Sequence, residues 1–509
     1  MIKKGKVILF SPNIIGTRQG INRVQPGHGI GLLATILDLN GHDVYIRDTA
    51  MEGYGNQVPI DDGKVLIGES NADIADYLKD IKPDIVGISV VFSNLIKHAH
   101  TIAQIVKQVD RNTKVIIGGN HITCSASDYE YFQNCENKDS KMPKILEDMQ
   151  DQNIDFTMRG ECDQVFLELV EALLNNKNPD NIKGLIYRNK SNLKDIVINP
   201  KPEAVSMEQS PFEARHKMNL EGYFNIGLFH SPKSKSKRVL TVMASRGCPE
   251  RCAFCSTPQM WGSRIRWRKP KDIFEEISDA AKKYNIGEIQ FEDDSLTANR
   301  KNLQELCDLL KPLKIPWCTP NGIKINYQAG KVQYELFKRM YDSGCYQVTL
   351  GCESGSQRVL DEIIHKNLKL EQVKPAIENA KNAGLLVHTF WIVGYPGETR
   401  HEMEKTIQFA EDSGADSYSV AMLAPLSGTP IYRQVIKENM WWDKKYGLKD
   451  ILYSSSLIKV DGFDSPEEFA KWVHQKNLYL NKLLAKRDPQ RFIAKYGLKT
   501  NDLDLSKQT

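Results

Sequence analysis

The sequence predicts an α/β protein in which a doubly wound, Rossmann-like parallel sheet is followed by a partial barrel and a mainly helical C-terminal segment. Short apolar runs alternate with helix-length segments from the N-terminus, pause near residue 180 and resume at residue 239. Strands that are apolar on both faces and separated by helices are typical of parallel sheets covered on both sides. A chain of 509 residues is long enough for two or three such domains.

We assign residues 1–178 to the first domain. Its five predicted strands are separated by helix-length segments such as 29–41, and they cover residues 6–12, 43–49, 84–92, 114–120 and 156–161. In sheets of this kind, ligands bind beyond the carboxyl ends of the strands. Those ends are rich in Ser, Gly, Asn and His. The loops after the third and fourth strands are therefore the candidate ligand site.

Residues 179–238 are predicted to form a linker that carries a hairpin within "GLIYRNKSNLKDIVINPKPE" (184–203). A Lys/Ser run follows at 233–237. Because the net charge of the whole chain is only +4, a solvated linker explains this run better than a nucleic-acid-binding patch does.

Six strand–helix units are predicted between residues 239 and 435. Their strand segments are "VLTVMAS", "EIQFEDD", "WCTPNGIKI", "YQVTLGCES", "LLVHTFWIV" and "SYSVAMLAP". Six units are three quarters of an eight-fold barrel, so we predict a partial, TIM-like (βα)6 barrel with its active site at the strand C-termini. Residues 436–509 form the predicted helical C-terminal segment.

The composition excludes several classes of protein. Apolar residues make up 41% and charged residues 26% of the chain, as in an ordinary globular protein. No apolar run approaches the roughly 18 residues of a spanning helix. The first apolar stretch, Val7 to Phe10, is too short for a signal peptide. The ten cysteines do not resemble a disulfide framework, so we expect a cytoplasmic, thiol-reducing location.

Three cysteines lie within eight positions of "GCPERCAFCSTPQMWG" (247–262): Cys248, Cys252 and Cys255. A structural zinc site normally has four ligands, and a disulfide has two. Three thiolates on one loop would leave a metal centre with an open position. The alternative is a zinc loop completed by a distant His or Cys, but no paired ligand motif lies downstream.

The Cys-x-x-x-Cys-x-x-Cys spacing after a predicted strand, with Phe254 before the third cysteine, resembles the signature of the radical S-adenosylmethionine superfamily. The resemblance implies that the three thiolates hold a [4Fe–4S] cluster. The fourth iron of such a cluster stays open for the methionine part of S-adenosyl-L-methionine. Soft sulfur ligands are those that iron–sulfur clusters or zinc prefer.

Further motifs at the ends of successive strands agree with this family. "FEDDSL" (291–296) stands where the family meets the methionine amino group, "LGCESGS" (350–356) carries a ribose-contacting carboxylate, and "IVGYPGET" (392–399) approaches adenine. Without the family, these carboxylates would be ordinary helix caps. The resemblance implies an S-adenosylmethionine site lined by Phe254, Glu292, Asp293, Asp294, Glu353, Ser354, Gly394 and Gly397.

The first domain resembles that of the cobalamin-binding radical enzymes. The matching stretches are 26–49, 82–94, 115–123 and 159–170. A flat corrin requires close approach of the backbone, and the residues that the resemblance places around it are Ser89, Ser93, Gly118, Gly119, His121, Gly160 and Glu161. His121 could equally be an ordinary loop histidine, and the domain could bind another ligand or serve for docking alone.

One motif of many cobalamin proteins does not occur in this sequence. Asp-x-His-x-x-Gly supplies a histidine ligand to cobalt, but none of the first domain's histidines has an Asp two positions before it: His28, His42, His98, His100 and His121. If cobalamin binds, we expect that no such histidine coordinates its lower face.

The two resemblances together imply a cobalamin-dependent radical enzyme. The leading hypothesis is a methyltransferase acting on an unactivated carbon through a 5′-deoxyadenosyl radical and methylcobalamin. An oxidative cyclase or ring-rearranging enzyme is the main alternative, and an iron–sulfur electron carrier or sensor comes from another class. A tRNA methylthiotransferase is less favoured, because a second cluster would need the unusually spaced Cys124, Cys135 and Cys162.

The expected partners are a small-molecule or natural-product substrate and an electron donor such as flavodoxin or ferredoxin. Neither nucleic acid nor a membrane span is expected. Trp441 and Trp442 are candidates for stacking on a planar or lipidic substrate, although core or interface positions are more usual for such side chains.

Overall fold

The structure is a computed structural model of the chain. It describes residues 3–18, 21–61, 63–135, 145–189, 195–231, 234–325, 331–451 and 456–482, together with Asn192 and Pro489. The predicted helical segment 436–509 and the Lys/Ser run 233–237 therefore lie partly outside the described residues.

The described residues of the first half of the chain contain ten strands. In chain order they are β1 (Lys6–Ser11), β2 (Ile14–Thr17), β3 (Asp43–Asp48), β4 (Gln57–Asp61), β5 (Lys64–Ile67), β6 (Ile85–Ser89), β7 (Lys114–Gly118), β8 (Phe156–Met158), β9 (Leu185–Arg188) and β10 (Ile196–Ile198). Seven of them form one sheet in the order β10-β9-β8-β7-β6-β1-β3. Its five strands β1, β3, β6, β7 and β8 are parallel, and the antiparallel pair β9–β10 extends one edge.

The parallel strands confirm the doubly wound prediction. The strand order reverses between β1 and β6, and such switch points open a crevice for ligands. Residues of β1 alternate between two cores: Val7 and Leu9 pack on one face of the sheet, and Ile8 and Phe10 on the other. Helices of the first half are α1 (His28–Leu39), α2 (Thr49–Glu52), α3 (Asn71–Ile81), α4 (Ile96–Val109), α5 (Asn120–Gln133), α6 (Ile145–Gln150) and α7 (Asp163–Leu174).

The sequence prediction missed a small antiparallel sheet in the order β2-β5-β4. Its strands are only four or five residues long, and β4 includes Pro59. Only β5 alternates buried residues, Val65 and Ile67, with more exposed ones. Such short segments lack a periodicity strong enough to identify them as strands.

The second half contains strands β11 (Val239–Val242), β12 (Ser245–Arg246), β13 (Arg266–Trp267), β14 (Glu288–Phe291), β15 (Trp317–Ile323), β16 (Cys345–Glu353), β17 (Leu386–Val393) and β18 (Ser417–Met422). Six of them form a parallel sheet in chain order, β11-β14-β15-β16-β17-β18. Strands of such a sheet end at one edge, so the predicted motifs are brought together there. This strand order is the one expected for the predicted partial barrel.

The remaining helices mostly connect or cover these strands. They are α8 (Leu220–Ile226), α9 (Thr257–Trp261), α10 (Pro270–Tyr284), α11 (Arg300–Leu310), α12 (Lys331–Asp342), α13 (Val373–Asn382), α14 (Arg400–Asp412), α15 (Pro430–Glu438) and α16 (Pro466–Leu480). Helix α16 packs against β18, with the Asn477 side chain bonded to both the amide and the carbonyl of Val420. None of the helices in the described ranges is long and apolar enough to cross a bilayer.

Candidate active site between the two sheets

The cysteine loop is closed at its base by the two-residue ladder of β12 and β13. Gly247 begins the loop with a φ of +99°, and a Cβ there would lie 2.2 Å from the carbonyl oxygen of Arg264. Only glycine fits such a position. The Ala253 amide donates to Ile364 at 2.8 Å, and the Cys255 amide donates to Cys252 at 3.0 Å. Backbone contacts therefore hold the loop in a defined shape.

The three thiols of this loop face a common region. Burial raises the pKa of each, that of Cys252 to about 12, and each of the other two thiols also acts on Cys252. Within the described ranges, no three His, Cys, Asp or Glu side chains converge on a single metal ion. A cluster has a different requirement, because each thiolate binds a separate iron. Three soft donors on one rigid loop fit that requirement.

Two lysines that the sequence analysis did not single out lie beside the thiols. Lys366 opposes the rise in the pKa of Cys252, and together with Lys324 it does the same for Cys248. Lys324 itself forms an ion pair with Glu250. Burial lowers the pKa of Lys324 to about 8. Lys324 follows β15, and Lys366 follows the π-helix 359–364. No sequence motif identifies either lysine.

The carboxylates after β14 point to three different places. Asp293 accepts hydrogen bonds from the Ala244 amide, at 3.0 Å, and from the Ser245 hydroxyl. Asp294 accepts from Thr257 of the cysteine loop at 3.3 Å. Burial raises the pKa of each aspartate to about 6. Glu292 instead pairs with His230, whose Nδ1 lies 2.7 Å from Glu292 Oε2. Asp294 is therefore the carboxylate that both contacts the cysteine loop and lies near a thiol of that loop.

Glu353 ends β16 in a left-handed conformation with a φ of +66°, beside a bulge in the pairing with β17. Its Oε1 accepts from Lys366 Nζ at 2.9 Å, and the side chain is mostly buried. Ser354 is fully buried, and its hydroxyl lies 3.3 Å from that of Thr406. Glu353 thus faces the cysteine region, whereas Ser354 connects to helix α14.

The loop after β17 brings together a buried phenol and a buried carboxylate. Glu398 accepts from the amides of Gly394 and Tyr395 at 2.7 and 3.1 Å, and burial raises its pKa to about 7. Phe254 packs against the Tyr395 ring at 5.9 Å between centroids. The Tyr395 hydroxyl and Glu398 Oε1 are buried without a hydrogen-bond partner in the described part of the chain. Gly394 and Gly397 both have positive φ.

At the carboxyl edge of the first sheet, the candidate residues surround the ends of β6 and β7. Ser89 and Gly118 are paired in the parallel ladder. Gly119 has a φ of +103°, and a Cβ there would meet Val90 at 2.6 Å. His121 uses both ring nitrogens: Nδ1 lies 2.9 Å from Ser93 Oγ, and Nε2 lies 3.1 Å from Asp148 Oδ2.

This histidine belongs to a longer chain of hydrogen bonds. Asp148 also accepts from His100, at 2.9 Å, and His100 reaches Asp151 at 2.6 Å. Burial alone would lower the pKa of His100, but hydrogen bonds to the two aspartates raise it above its ordinary value. The network occupies the nitrogens of His121, so neither is available as a cobalt ligand in this arrangement.

Gly160 and Glu161 lie where the two halves of the molecule meet. The Gly160 amide donates to Thr123 Oγ1 at 2.9 Å. Glu161 is buried and forms ion pairs with Arg246, at 2.9 Å, and with Arg266. Both arginines belong to the ladder at the base of the cysteine loop. Glu161 therefore joins the first sheet to the cysteine loop.

A second polar junction, which the sequence analysis did not predict, centres on Asp128 of α5. This buried carboxylate accepts from Ser427 at 2.7 Å, from the Gly428 amide at 2.6 Å and from Arg433 at 2.8 Å. Nearby, Ser127 donates to Gln259 of the cysteine loop at 2.9 Å. The loop is thus held against the first domain from two sides.

Comparison with known proteins agrees with this architecture. The model of the radical SAM superfamily matches residues 242–410, and that of the B12 binding domain matches residues 21–134. Cytidylyl-2-hydroxyethylphosphonate methyltransferase from Streptomyces wedmorensis is 32% identical, over 95% of this chain and 90% of that protein. This chain belongs to the cobalamin-binding radical S-adenosylmethionine enzymes.

Two other similar proteins are more distant in sequence. The anaerobic magnesium-protoporphyrin IX monomethyl ester cyclase of Rubrivivax gelatinosus is 26% identical, over 78% of this chain and 66% of that protein. The cobalamin-dependent S-adenosylmethionine radical enzyme OxsB shares the fold with a TM-score of 0.69 at 16% identity, over 97% of this chain and 72% of that one. The expected cofactors are those of the family: a [4Fe–4S] cluster, S-adenosyl-L-methionine and cobalamin.

Proposed function

We propose that this radical S-adenosylmethionine enzyme methylates an unactivated carbon of a small-molecule substrate. The observation that carries the proposal is the full-length similarity to a methyltransferase, combined with a cysteine loop clamped against the carboxyl edge of the first sheet. A methyl donor and a hydrogen-abstracting centre must both reach one substrate carbon. The contacts of Glu161 with Arg246 and of Ser127 with Gln259 join the parts of the chain that would carry these two centres.

Each cofactor has its own candidate residues. When bound, the cluster with S-adenosyl-L-methionine supplies hydrogen abstraction, and cobalamin supplies the methyl group. Cys248, Cys252 and Cys255 would hold the cluster. Asp294 is the candidate for the methionine ammonium, because it contacts the cysteine loop and can be negatively charged near neutral pH. Glu353 is the candidate for the ribose hydroxyls, oriented by Lys366.

Aromatic and apolar groups would keep water from these reacting centres. Phe254 and Tyr395 pack together beside the cysteine loop, and Phe469 and Val460 close around Gly394. On the other side, Ser89, Gly118 and Gly119 would allow close approach of a flat corrin at the ends of β6 and β7, where Ser93 and Asp148 hold His121 in place. Excluding water protects reactive species from side reactions.

The decisive experiment is incubation of the reconstituted enzyme with S-adenosyl-L-methionine, dithionite and a candidate substrate. The proposal expects 5′-deoxyadenosine, S-adenosylhomocysteine and a product heavier by one methylene. The Streptomyces relative is named for a cytidylyl ester of hydroxyethylphosphonate, so an alcohol that carries a phosphonate or phosphate ester is the first substrate class to test. 5′-Deoxyadenosine formed without any methylated product would contradict the methyltransferase assignment.

A non-methylating reaction is the second candidate, and the similarity to an anaerobic cyclase favours it. A cyclase would give a product lighter by hydrogen rather than heavier by a methylene, so product mass separates the two. The electron donor we propose in the cell is a flavodoxin or ferredoxin. All ten cysteines are free thiols, which suits a reducing cytoplasm.

A further inference from the structure

A group of charged side chains between the two sheets carries unpaired polar atoms, and of its members only Glu292 is also a candidate for the S-adenosylmethionine site. Its members come from four separated segments: His28 from the start of α1, Glu213 from the segment before α8, His230 from the segment before β11, and Glu292 from the end of β14. Buried charged groups normally pair completely, because an unpaired one costs free energy. This group pairs incompletely.

The first pair is His28 with Glu213. His28 Nδ1 lies 2.7 Å from Glu213 Oε1, and both side chains are mostly buried. Burial alone would lower the pKa of His28, but Glu213 and Glu292 raise it; the pKa of Glu213 is lowered to about 2 despite burial, chiefly by Arg215 and His28. These carboxylates favour the protonated form of His28, in which Nε2 carries a second N–H. That atom is buried, and it has no partner in the described part of the chain.

The second pair is His230 with Glu292. His230 Nδ1 lies 2.7 Å from Glu292 Oε2, and Glu292 is only 7% exposed. Its other oxygen, Oε1, is buried and has no partner among the described residues. The two pairs thus leave two unpaired atoms: the hydrogen-bond donor His28 Nε2 and the carboxylate oxygen Glu292 Oε1. Each unpaired polar atom of this kind costs about 1–3 kcal/mol.

The group lies beside both candidate cofactor sites, which is where a substrate would have to bind. Glu292 directly follows β14, two residues before Asp294 of the cysteine-loop contact. His28 opens α1 after the loop that leaves the switch-point edge of the first sheet. The Val24 amide donates to the Leu228 carbonyl at 3.0 Å, which joins the loop before His28 to the segment of His230.

The charge near this group is suited to an anion. Arg23 follows Asn22 in the same loop, and its side chain is exposed. The surrounding protein nevertheless lowers its pKa through desolvation, and Arg23 makes no ion pair within the described residues. Arg23 directly precedes Val24, whose amide joins this loop to the segment of His230.

We propose that this group binds the substrate, which is an alcohol carrying an anionic group: its hydroxyl donates to Glu292 Oε1 and accepts from His28 Nε2, and its anion lies near Arg23. A hydroxyl is the simplest group that satisfies both unpaired atoms at once, since it is donor and acceptor together. The inference rests on the proposed methyltransferase function and assigns the substrate class to named residues.

The test compares two ligands that differ in one hydroxyl, cytidylyl-2-hydroxyethylphosphonate and cytidylyl-ethylphosphonate. Binding to the cofactor-loaded enzyme is measured by calorimetry without reductant, so that no turnover occurs. The wild-type enzyme should prefer the hydroxyl compound at least tenfold, because hydrogen bonds to charged groups contribute about 1.5–3 kcal/mol. Glu292→Gln and His28→Gln should each remove most of this preference, and Arg23→Gln should weaken both ligands alike.

His216→Gln is the matched control, because His216 is an exposed histidine in the neighbouring segment. It should keep the full preference. Iron content and the cobalamin absorption spectrum report whether each variant retains its cofactors. If Glu292→Gln loses its cofactors, the test depends on His28→Gln, because His28 lies outside the barrel. A wild-type enzyme that binds both ligands equally or neither, or a preference that survives both substitutions, overturns the proposal.

This experiment separates the substrate site from the methyltransferase reaction. A clear hydroxyl preference with no methylated product under reducing conditions would leave the site in place and remove the proposed reaction. A methylated product from a substrate bound without any hydroxyl preference would do the reverse.

Discussion

Lys366 and Glu353 form the contact that connects the carboxyl end of β16 with the cysteine loop. Glu353 is held in a left-handed backbone conformation, and its partner lysine also acts on the thiol of Cys252. One ion pair thus links the proposed ribose contact with the proposed cluster ligands. Two predictions test these two groups separately.

We expect that replacing Cys248, Cys252 and Cys255 together with Ala abolishes the reconstituted cluster. The loop supplies three of the cluster's ligands, and Ala cannot coordinate iron. The measurement is iron content and visible absorption after anaerobic reconstitution. The matched control replaces the buried Cys307 and Cys345 instead. Retention of about four irons per chain in the triple variant would contradict the assignment.

Glu353→Gln should weaken S-adenosyl-L-methionine binding at least tenfold and leave iron content unchanged. The charged acceptor of two hydroxyls is lost, and each such bond contributes about 1.5–3 kcal/mol. Equilibrium binding to the reconstituted enzyme measures the effect. Glu362→Gln, an exposed carboxylate of the same segment, is the control. Unchanged affinity in Glu353→Gln would return this residue to a purely structural role.

At the scale of elements, the ends of β6 and β7 determine how cobalamin would be held. Gly119 brings α5 against Val90, and this places His121 between Ser93 and Asp148. Helix α6 contributes Asp148, which also binds His100 of α4. Three helices therefore restrain one histidine, whose nitrogens are occupied by the protein.

We expect bound cobalamin to have no histidine beneath the cobalt. The measurement is electron paramagnetic resonance of the cobalt(II) enzyme, whose cobalt hyperfine lines should lack splitting from an axial nitrogen. His121→Ala should leave the spectrum unchanged, because the side chain does not coordinate. A three-fold nitrogen splitting in the wild-type enzyme that disappears in His121→Ala would show that this prediction is wrong.

At the scale of the whole molecule, the two halves are joined by buried polar contacts. Arg246 connects Glu161 and Asp163 of the first half with the base of the cysteine loop, and its guanidinium stacks on Trp261 at 4.7 Å. Asp128 provides a second junction. We retain 178, 238 and 435 as the proposed domain boundaries, although hairpin β9–β10 of the linker completes the first sheet.

Arg246→Met should lower the thermal unfolding midpoint and speed hydrogen exchange in residues 158–163 and 245–267. Removing one partner of a buried ion pair costs about 3–5 kcal/mol, because the remaining charges stay buried. Exposed pairs contribute only about 0–1 kcal/mol, so Arg339→Met, which breaks the surface pair with Asp308, is the control. Equal effects of the two substitutions would refute a role for Arg246 in joining the halves.

Several parts of the fold and the candidate site could be predicted from local sequence. The parallel strands 6–11, 85–89 and 114–118 were recognisable because both faces are buried and, after the exposed Lys6 and Lys114 that begin two of them, every residue is apolar or small. The spacing of Cys248, Cys252 and Cys255 needs no tertiary information, since the ligands share one loop. The short sheet β2-β5-β4 was missed, because its segments have no period to recognise.

Residues that act through distant partners were beyond prediction from the sequence. Lys366 meets Glu353 only because a π-helix returns the chain to β16. Asp128 meets Ser427 and Arg433 across 299 and 305 positions of the sequence. "FEDDSL" predicted that all three of its carboxylates meet the methionine amino group, but in the structure they contact different partners. Side-chain direction depends on neighbouring strands and loops, which the motif does not contain.

The sequence by itself determined the class of this protein: two α/β units, a three-cysteine loop and strand-end motifs characteristic of one enzyme family. These features are local, because short-range periodicity and ligand spacing within a loop survive without the rest of the chain. Only the tertiary structure decided which charges face each other between the sheets, among them His28, Glu213, His230 and Glu292. Their proximity arises from the packing of segments up to 264 positions apart, and no local pattern encodes it.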